Sequence, residues 1–295
     1  MEILVAKSAG FCFGVEKAIE SVYKEIETGK KPIYTFGPII HNEQVVEDLE
    51  EKGVSVIDTI EELENLQSGS VVIRSHGVPK KIYDAIEKQN LEIVDATCPF
   101  VKKIHNIVKK ESEKGKRIVI IGNDNHPEVE GIKGWVVGEA IVVKDEEDIE
   151  KIDSFRNESI CIVSQTTFNY NKFKYLVEII TKKGYDINVV NTICNATHLR
   201  QVEAKEIASK VDAMIVIGGK NSSNTQKLYD ICKNECKDTY YIQTVSNLNL
   251  KNVDSLRSIG ITAGASTPKK IIEEVVLNVR DEFWTNVGWI IQDNS

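Results

Sequence analysis

The stretch LEIVDATCPFVKKIHNIVKK (Leu91–Lys110) passes from a short apolar run through one cysteine, Cys98, into a segment of helical period. Two other stretches share that grammar. ILVAKSAGFCFGVEKAI (Ile3–Ile19) sets Cys12 between an apolar run and a helix pattern, and INVVNTICNATHLRQVEAKEIA (Ile187–Ala208) does the same for Cys194. Short Val/Ile-rich runs read as buried strands, and apolar residues recurring every three or four positions read as helices. Three cysteines, nearly evenly spaced along the chain, therefore stand at strand-to-helix junctions.

Two further sets follow the same rhythm. IYTFGPIIHNEQVVEDL, IVIIGNDNHPEVEGI and MIVIGGKNSSNTQKLYDI each give a strand, a glycine near its end, a polar loop and a helix; the loops carry His41, His126 and the trio Ser222, Ser223, Asn224. VVIRSHGVPKKIYDAI, CIVSQTTFNYNKFKYLV and GITAGASTPKKIIEEVV form the last set, with His76, the pair Thr166 and Thr167, and Ser266 in their loops. Each unit thus runs polar loop, polar loop, cysteine. The third unit lacks a final cysteine, and the N-terminal MEILVAKSAGFC supplies it if that strand returns to close the unit. The expected organisation is circularly permuted: 14–98, 99–194, and 195–280 completed by 1–13, with 281–295 as a tail. Strands alternating with helices predict an α/β fold with mostly parallel sheets. Open sheets of this kind bind ligands outside the carboxyl ends of their strands, so the loops and cysteines are expected to converge on one central site about a pseudo-threefold axis.

Composition narrows the function. The chain has 295 residues, 41% of them hydrophobic, enough for roughly two domains' worth of core. Asp and Glu outnumber Lys and Arg by 45 to 37, a net charge of −8, which argues against a nucleic-acid partner. No apolar run reaches the ~18 residues of a membrane span, and the N-terminus lacks the pattern of a signal peptide. A cytoplasmic, reducing location is expected, where six cysteines are thiols, ligands or core residues rather than disulfides.

Three thiolates on one axis suit a metal or an iron–sulfur centre, and a helix N-terminus after each thiol favours the thiolate. A protein-held four-iron cluster usually takes four cysteines, so three leave one iron open as a Lewis acid. Cys161 sits inside an apolar strand and reads as core. Cys232 and Cys236 share a helix face, but no nearby His or third Cys completes a site. His41, His76 and His126 can donate hydrogen bonds and, as imidazolium, add charge. Ser222, Ser223, Asn224 and Ser266 add hydroxyl and amide donors, and helix N-termini favour phosphate. His105 and His198 read as ordinary helix-face residues. Glu128, two residues after His126, is either a carboxyl held protonated as a proton donor or a first-turn acid facing the helix dipole. Thr166 can complete a hydroxyl relay. No Walker A or G-x-G-x-x-G pattern competes.

The motif series AGFCFGV, GPIIHNEQVV, RSHGVP, DATCPFV, GNDNHPEVEG, SQTT, GGKNSSNT and AGASTP resembles the 4-hydroxy-3-methylbut-2-enyl diphosphate reductase family, in order, over about residues 1 to 280. The resemblance implies a trefoil of three α/β domains around a [4Fe–4S] cluster held by Cys12, Cys98 and Cys194, its fourth iron open to the substrate hydroxyl. It implies diphosphate binding by His41, His76, His126, Ser222, Ser223, Asn224 and Ser266, proton donation by Glu128, and Thr166 near the substrate hydroxyl. The implied reaction, the last step of the methylerythritol phosphate pathway, is a two-electron reductive dehydroxylation giving isopentenyl and dimethylallyl diphosphates. Ferredoxin or flavodoxin would deliver the electrons. A cluster-dependent dehydratase would need no external electrons, and a mere cluster carrier gives no reason for the ring of polar donors.

Overall fold

The computed structural model describes residues 2–250 and 256–286. Strand β1 (Glu2–Val5) and helix α1 (Phe13–Thr28) flank Cys12. The next seven elements are β2 (Ile33–Phe36), α2 (Glu43–Glu51), β3 (Val54–Ile57), α3 (Ile60–Glu64), β4 (Ser70–Ile73), α4 (Lys80–Lys88) and β5 (Glu92–Asp95). Helix α5 (Pro99–Glu113) leads to β6 (Arg117–Ile121), α6 (Pro127–Lys133), β7 (Ala140–Val143), a 3-10 segment (Glu147–Phe155), β8 (Ile160–Ser164), α7 (Tyr170–Lys182) and β9 (Ile187–Val189). Helix α8 (Asn195–Ala208) then opens the last set: β10 (Ala213–Ile217), α9 (Ser223–Glu235), β11 (Asp238–Ile242), a 3-10 turn (Val245–Asn247), β12 (Ser258–Ala263) and α10 (Lys269–Asn286). Part of the expected tail is thus the end of α10, and residues 287–295 lie outside the described ones.

The strands form three four-stranded parallel sheets of one topology: β3-β2-β4-β5, β7-β6-β8-β9 and β11-β10-β12-β1. The third takes its fourth strand from the N-terminus, with Glu2 opposite Ser258 and Val5 opposite Ile261. In each sheet the chain steps outward in one direction from the first strand and returns to continue in the other. The reversal lies between the first and third strands, and a crevice opens at their carboxyl ends.

Continuous Val/Ile runs form these strands because both faces are covered. In the second sheet Val119, Ile121 and Ile162 pack on Phe173 and Leu176 of α7, while Ile118, Ile120 and Val163 face Ile104 and Val108 of α5. Helix α5 buries Val101, Ile104, His105 and Val108, the stripe expected of a helix covering a sheet. In the first sheet Val71 and Ile73 meet Leu63, Ile82 and Ile86. In the third, Ile215 and Ile261 meet Ile272 and Val275 of α10, while Met214 and Val216 meet Ala204 and Leu228. Each fully buried Ile or Leu contributes about 1.5–3 kcal/mol.

The chain divides into two compact units. One comprises residues 13–195 and holds the first two sheets; the other comprises residues 1–12 and 196–295 and holds the third.

Candidate functional site

In the unit of residues 13–195, His41 follows β2, His76 follows β4 and His126 follows β6, so all three lie at carboxyl ends of central strands. Their rings meet. His41 stacks on His76 with centroids 4.3 Å apart, and His126 stands edge-on to both at 5.5 and 5.6 Å. One ring nitrogen from each lies within 4.8 Å of the others. His126 caps α6, and its Nδ1 accepts from the Glu128 main-chain N–H at 3.1 Å. That bond places the neutral ring's proton on Nε2, a donor for a ligand. His76 Nδ1 is buried with no partner among the described residues. A buried polar atom without a partner is costly, so a ligand is the expected complement.

Burial and the charges around them disfavour protonation of His76 and His126. Burial first, then His41 and Arg74, lower His126 to about 3. Burial, His41, His126 and Arg74 lower His76 well below the usual histidine range. Neutral rings such as these can meet a ligand as hydrogen-bond donors rather than as fixed charges. A metal ion in the same place would sit beside the Arg74 charge, which disfavours a cation.

Glu128 is fully inside the protein and paired with Thr166. The Thr166 N–H donates to Oε1 and Thr166 Oγ1 donates to Oε2, each at 2.6 Å. Burial raises the carboxyl to about 7, against the pull of the two Thr166 bonds. A carboxyl so raised can hold a proton near neutrality, and Glu128 also lies in the first turn of α6. The Thr166 carbonyl accepts from the Cys194 N–H at 3.0 Å. His126, Glu128, Thr166 and Cys194 thus form one connected hydrogen-bonded chain.

The anchoring of Cys194 recurs. Cys98 N–H donates to the Ser75 carbonyl at 3.0 Å, and in the other unit Cys12 N–H donates to the Ala265 carbonyl at 3.3 Å. Each cysteine is thus tied to the loop after its sheet's third strand, one residue before a helix. None of the three is in a disulfide, and each is neither fully buried nor fully exposed. Room beside Cys98 comes from Gly14 of α1, where a Cβ would lie 2.4 Å from the Cys98 Sγ. Cys161, Cys232 and Cys236 differ: all are buried in apolar clusters, and burial raises their thiols, Cys232 to about 12.

In the unit of residues 1–12 and 196–295, Ser222 caps α9, its Oγ accepting from the Thr225 N–H at 3.3 Å, with Ser223 in the first turn. Asn224 is buried, and neither its Oδ1 nor its Nδ2 finds a partner among the described residues. Ser266, also buried, follows Ala265 in the loop that holds Cys12. Sequence reasoning missed the braces of this region. Glu203 of α8 accepts from the Lys7 and Ser8 N–H groups at 2.8 and 2.9 Å, and buried Arg200 donates to the Ser8 and Ala263 carbonyls. It also missed the depth of His105, which is buried and stacked on Trp135 at 5.3 Å, under the Gly77 end of the His76 loop.

A model of the LytB protein family matches residues 3–280. The chain belongs to the LytB family. A protein of Caldanaerobacter subterraneus subsp. tengcongensis, named 4-hydroxy-3-methylbut-2-enyl diphosphate reductase, is 50% identical over 282 residues, covering 95% of this chain and 97% of the relative. A Clostridioides difficile protein of the same name is 46% identical over 276 residues, covering 94% and 98%. Among solved structures, that of "(E)-4-Hydroxy-3-methyl-but-2-enyl Diphosphate Reductase, the Terminal Enzyme of the Non-Mevalonate Pathway" is 41% identical with a TM-score of 0.70, covering 95% of this chain and all of that one. The Plasmodium falciparum E-1-hydroxy-2-methyl-but-2-enyl-4-diphosphate reductase is 29% identical with a TM-score of 0.88, covering 94% and 87%. The LytB chain described here is an enzyme of the oxidoreductase class. Among its described residues, no helix is long and apolar enough to cross a membrane.

Proposed function

We propose that the protein reduces (E)-4-hydroxy-3-methylbut-2-enyl diphosphate to isopentenyl and dimethylallyl diphosphates. The observation that carries this reading is the chain from His126 through Glu128 and Thr166 to Cys194, which joins an imidazole, a buried acid and the main-chain N–H of a cysteine. Cys12, Cys98 and Cys194 would hold a [4Fe–4S] cluster: they lie outside the buried apolar clusters, each precedes a helix N-terminus, and Gly14 leaves space at Cys98. When bound, such a cluster supplies electrons singly and one iron without a protein ligand. Ferredoxin or flavodoxin would be the electron donor.

The chain's own residues do the rest. His41, His76 and His126 receive the diphosphate with Ser222, Ser223, Asn224 and Ser266, and the unpartnered atoms of His76 and Asn224 gain acceptors and donors there. An anchored diphosphate fixes where the allylic hydroxyl lies, so its reaction becomes effectively unimolecular. Thr166 Oγ1 bridges that hydroxyl to Glu128, and the Glu128 proton converts departing hydroxide to water. On this reading each of the three sheets is one domain, bounded as 14–98, 99–194 and 195–280 with 1–13, and the protein works in the cytoplasm without a nucleic-acid partner.

The test is anaerobic turnover of the allylic diphosphate by the iron-loaded protein with a chemical reductant. Formation of both isoprenyl diphosphates is expected. A protein with full iron and sulfide content that makes neither would sink the reading, and product formed without reductant would favour a dehydratase.

A further inference from the structure

The RSHGVP motif holds a charge that none of these roles uses. Arg74, the first residue after β4, is partly buried. Its carbonyl accepts from the Gly77 N–H at 2.9 Å, and its Nε donates to the Gly77 carbonyl at 3.5 Å. Main chain and side chain therefore close the same four-residue turn, the one that presents His76. The guanidinium also lies over Gly37, just after β2, where φ is +71° and a Cβ would come 2.1 Å from Nη1. Only a glycine leaves that space, and Gly37 begins the loop to His41. Arg74 is thus wedged between the two loops that flank the reversal point of the first sheet.

Its charge is not neutralised locally. Arg74 makes no ion pair within 4.0 Å among the described residues. Burial lowers the Arg74 pKa, and Glu130 of α6 and Asp58, following β3, oppose that fall; Lys81 and Lys133 line the same cavity of about 760 Å³. On the other side stand His76 and His126, whose protonation it opposes. A partly desolvated cation without a close partner creates a field that favours an anion.

We propose that Arg74 is a positioning residue of the anion site: it clamps the turn carrying His76 and supplies a fixed positive charge beside the histidine rings. The proposal rests on the diphosphate reading of that site. It also explains how an acidic chain attracts a multiply charged ligand.

The test is calorimetric binding of inorganic pyrophosphate to the anaerobic holoenzyme at pH 8 over a range of ionic strength, comparing wild type, Arg74→Gln and Glu130→Gln. Arg74→Gln is expected to bind about tenfold or more weakly. Because a fixed charge is gone, its affinity should also fall less steeply with rising salt, a change that a purely structural defect does not produce. Glu130→Gln removes an exposed carboxylate that competes for the same field, so about twofold to fivefold tighter binding at low salt is expected. Unchanged affinity and salt dependence in Arg74→Gln would overturn the proposal. If that variant does not fold, unchanged or weaker binding by Glu130→Gln does so instead. A wild-type protein that binds no pyrophosphate overturns the underlying anion-site reading, a different failure.

Discussion

Glu128 and Thr166 share two hydrogen bonds of 2.6 Å, both donated by the threonine, in a place where burial alone would hold the carboxyl protonated. The threonine lowers the acid's pKa and burial raises it to about 7, which suits proton donation near neutrality. Glu128→Gln should bind the diphosphate normally and lose roughly 100-fold or more in turnover. Thr166→Val removes a bond that favours the carboxylate, so the alkaline limb of its pH–rate profile should move above that of wild type. A limb that stays put, measured under anaerobic single-turnover conditions, would detach Thr166 from the acid.

The histidines and the glutamate oppose each other in stability. His126, about 3 when folded against an ordinary 6.5, binds fewer protons in the native state, so its contribution is present above pH 6.5 and is lost as pH falls toward 3. Glu128, raised from 4.5 to about 7, does the reverse: its contribution is present below 4.5 and is lost as pH rises through 7. Urea melts of His126→Asn, which keeps a capping side chain, should fall less steeply than wild type between pH 6.5 and 4. Glu128→Gln should fall more steeply there, because the opposing slope is gone. Identical slopes in all three proteins would contradict the burial assigned to both groups.

What the sequence made legible was whatever repeats or keeps a period. The Val/Ile runs and the spacing of Cys12, Cys98 and Cys194 contain the three parallel sheets, and the missing cysteine of the third unit pointed to β1 beside β12. The glycine, serine and histidine loops could be ranked because each recurs at one place in the repeat. Arg74, Arg200 and Glu203 could not be ranked. A charged residue in a polar motif or on a helix looks like solvated surface, and its partners here lie elsewhere in the chain: Gly37 for Arg74, Ser8 for both Arg200 and Glu203. The charge state of the histidines was also out of reach, because it depends on three rings meeting, which no single loop encodes.

The six cysteines should separate chemically. In protein stripped of iron, iodoacetamide at pH 8 should label Cys12, Cys98 and Cys194, which are partly exposed, and spare Cys161, Cys232 and Cys236, which are buried with raised pKa values. Loading with iron and sulfide should protect the first three together. Mass spectrometry of the digests reads both outcomes. Protection of any other set would move the cluster off the three helix junctions, whether or not the enzyme turned over.

Gly14 offers the sharpest steric test. It lies inside α1, where replacing glycine with alanine normally stabilises a helix by about 0.5–1 kcal/mol. Here the new Cβ would fall 2.4 Å from the Cys98 Sγ and 3.1 Å from its Cβ, so the thiol must move. Gly14→Ala should therefore stay folded, with a Tm within a few degrees of wild type, yet retain much less iron after anaerobic reconstitution. The same change at exposed Gly115, where the positive φ is strained but no atom lies within 4 Å of the new Cβ, should cost stability and leave iron content intact. Normal iron retention by Gly14→Ala would mean that Cys98 does not need the position it holds in this structure, and its assignment as a ligand would lose its geometric support.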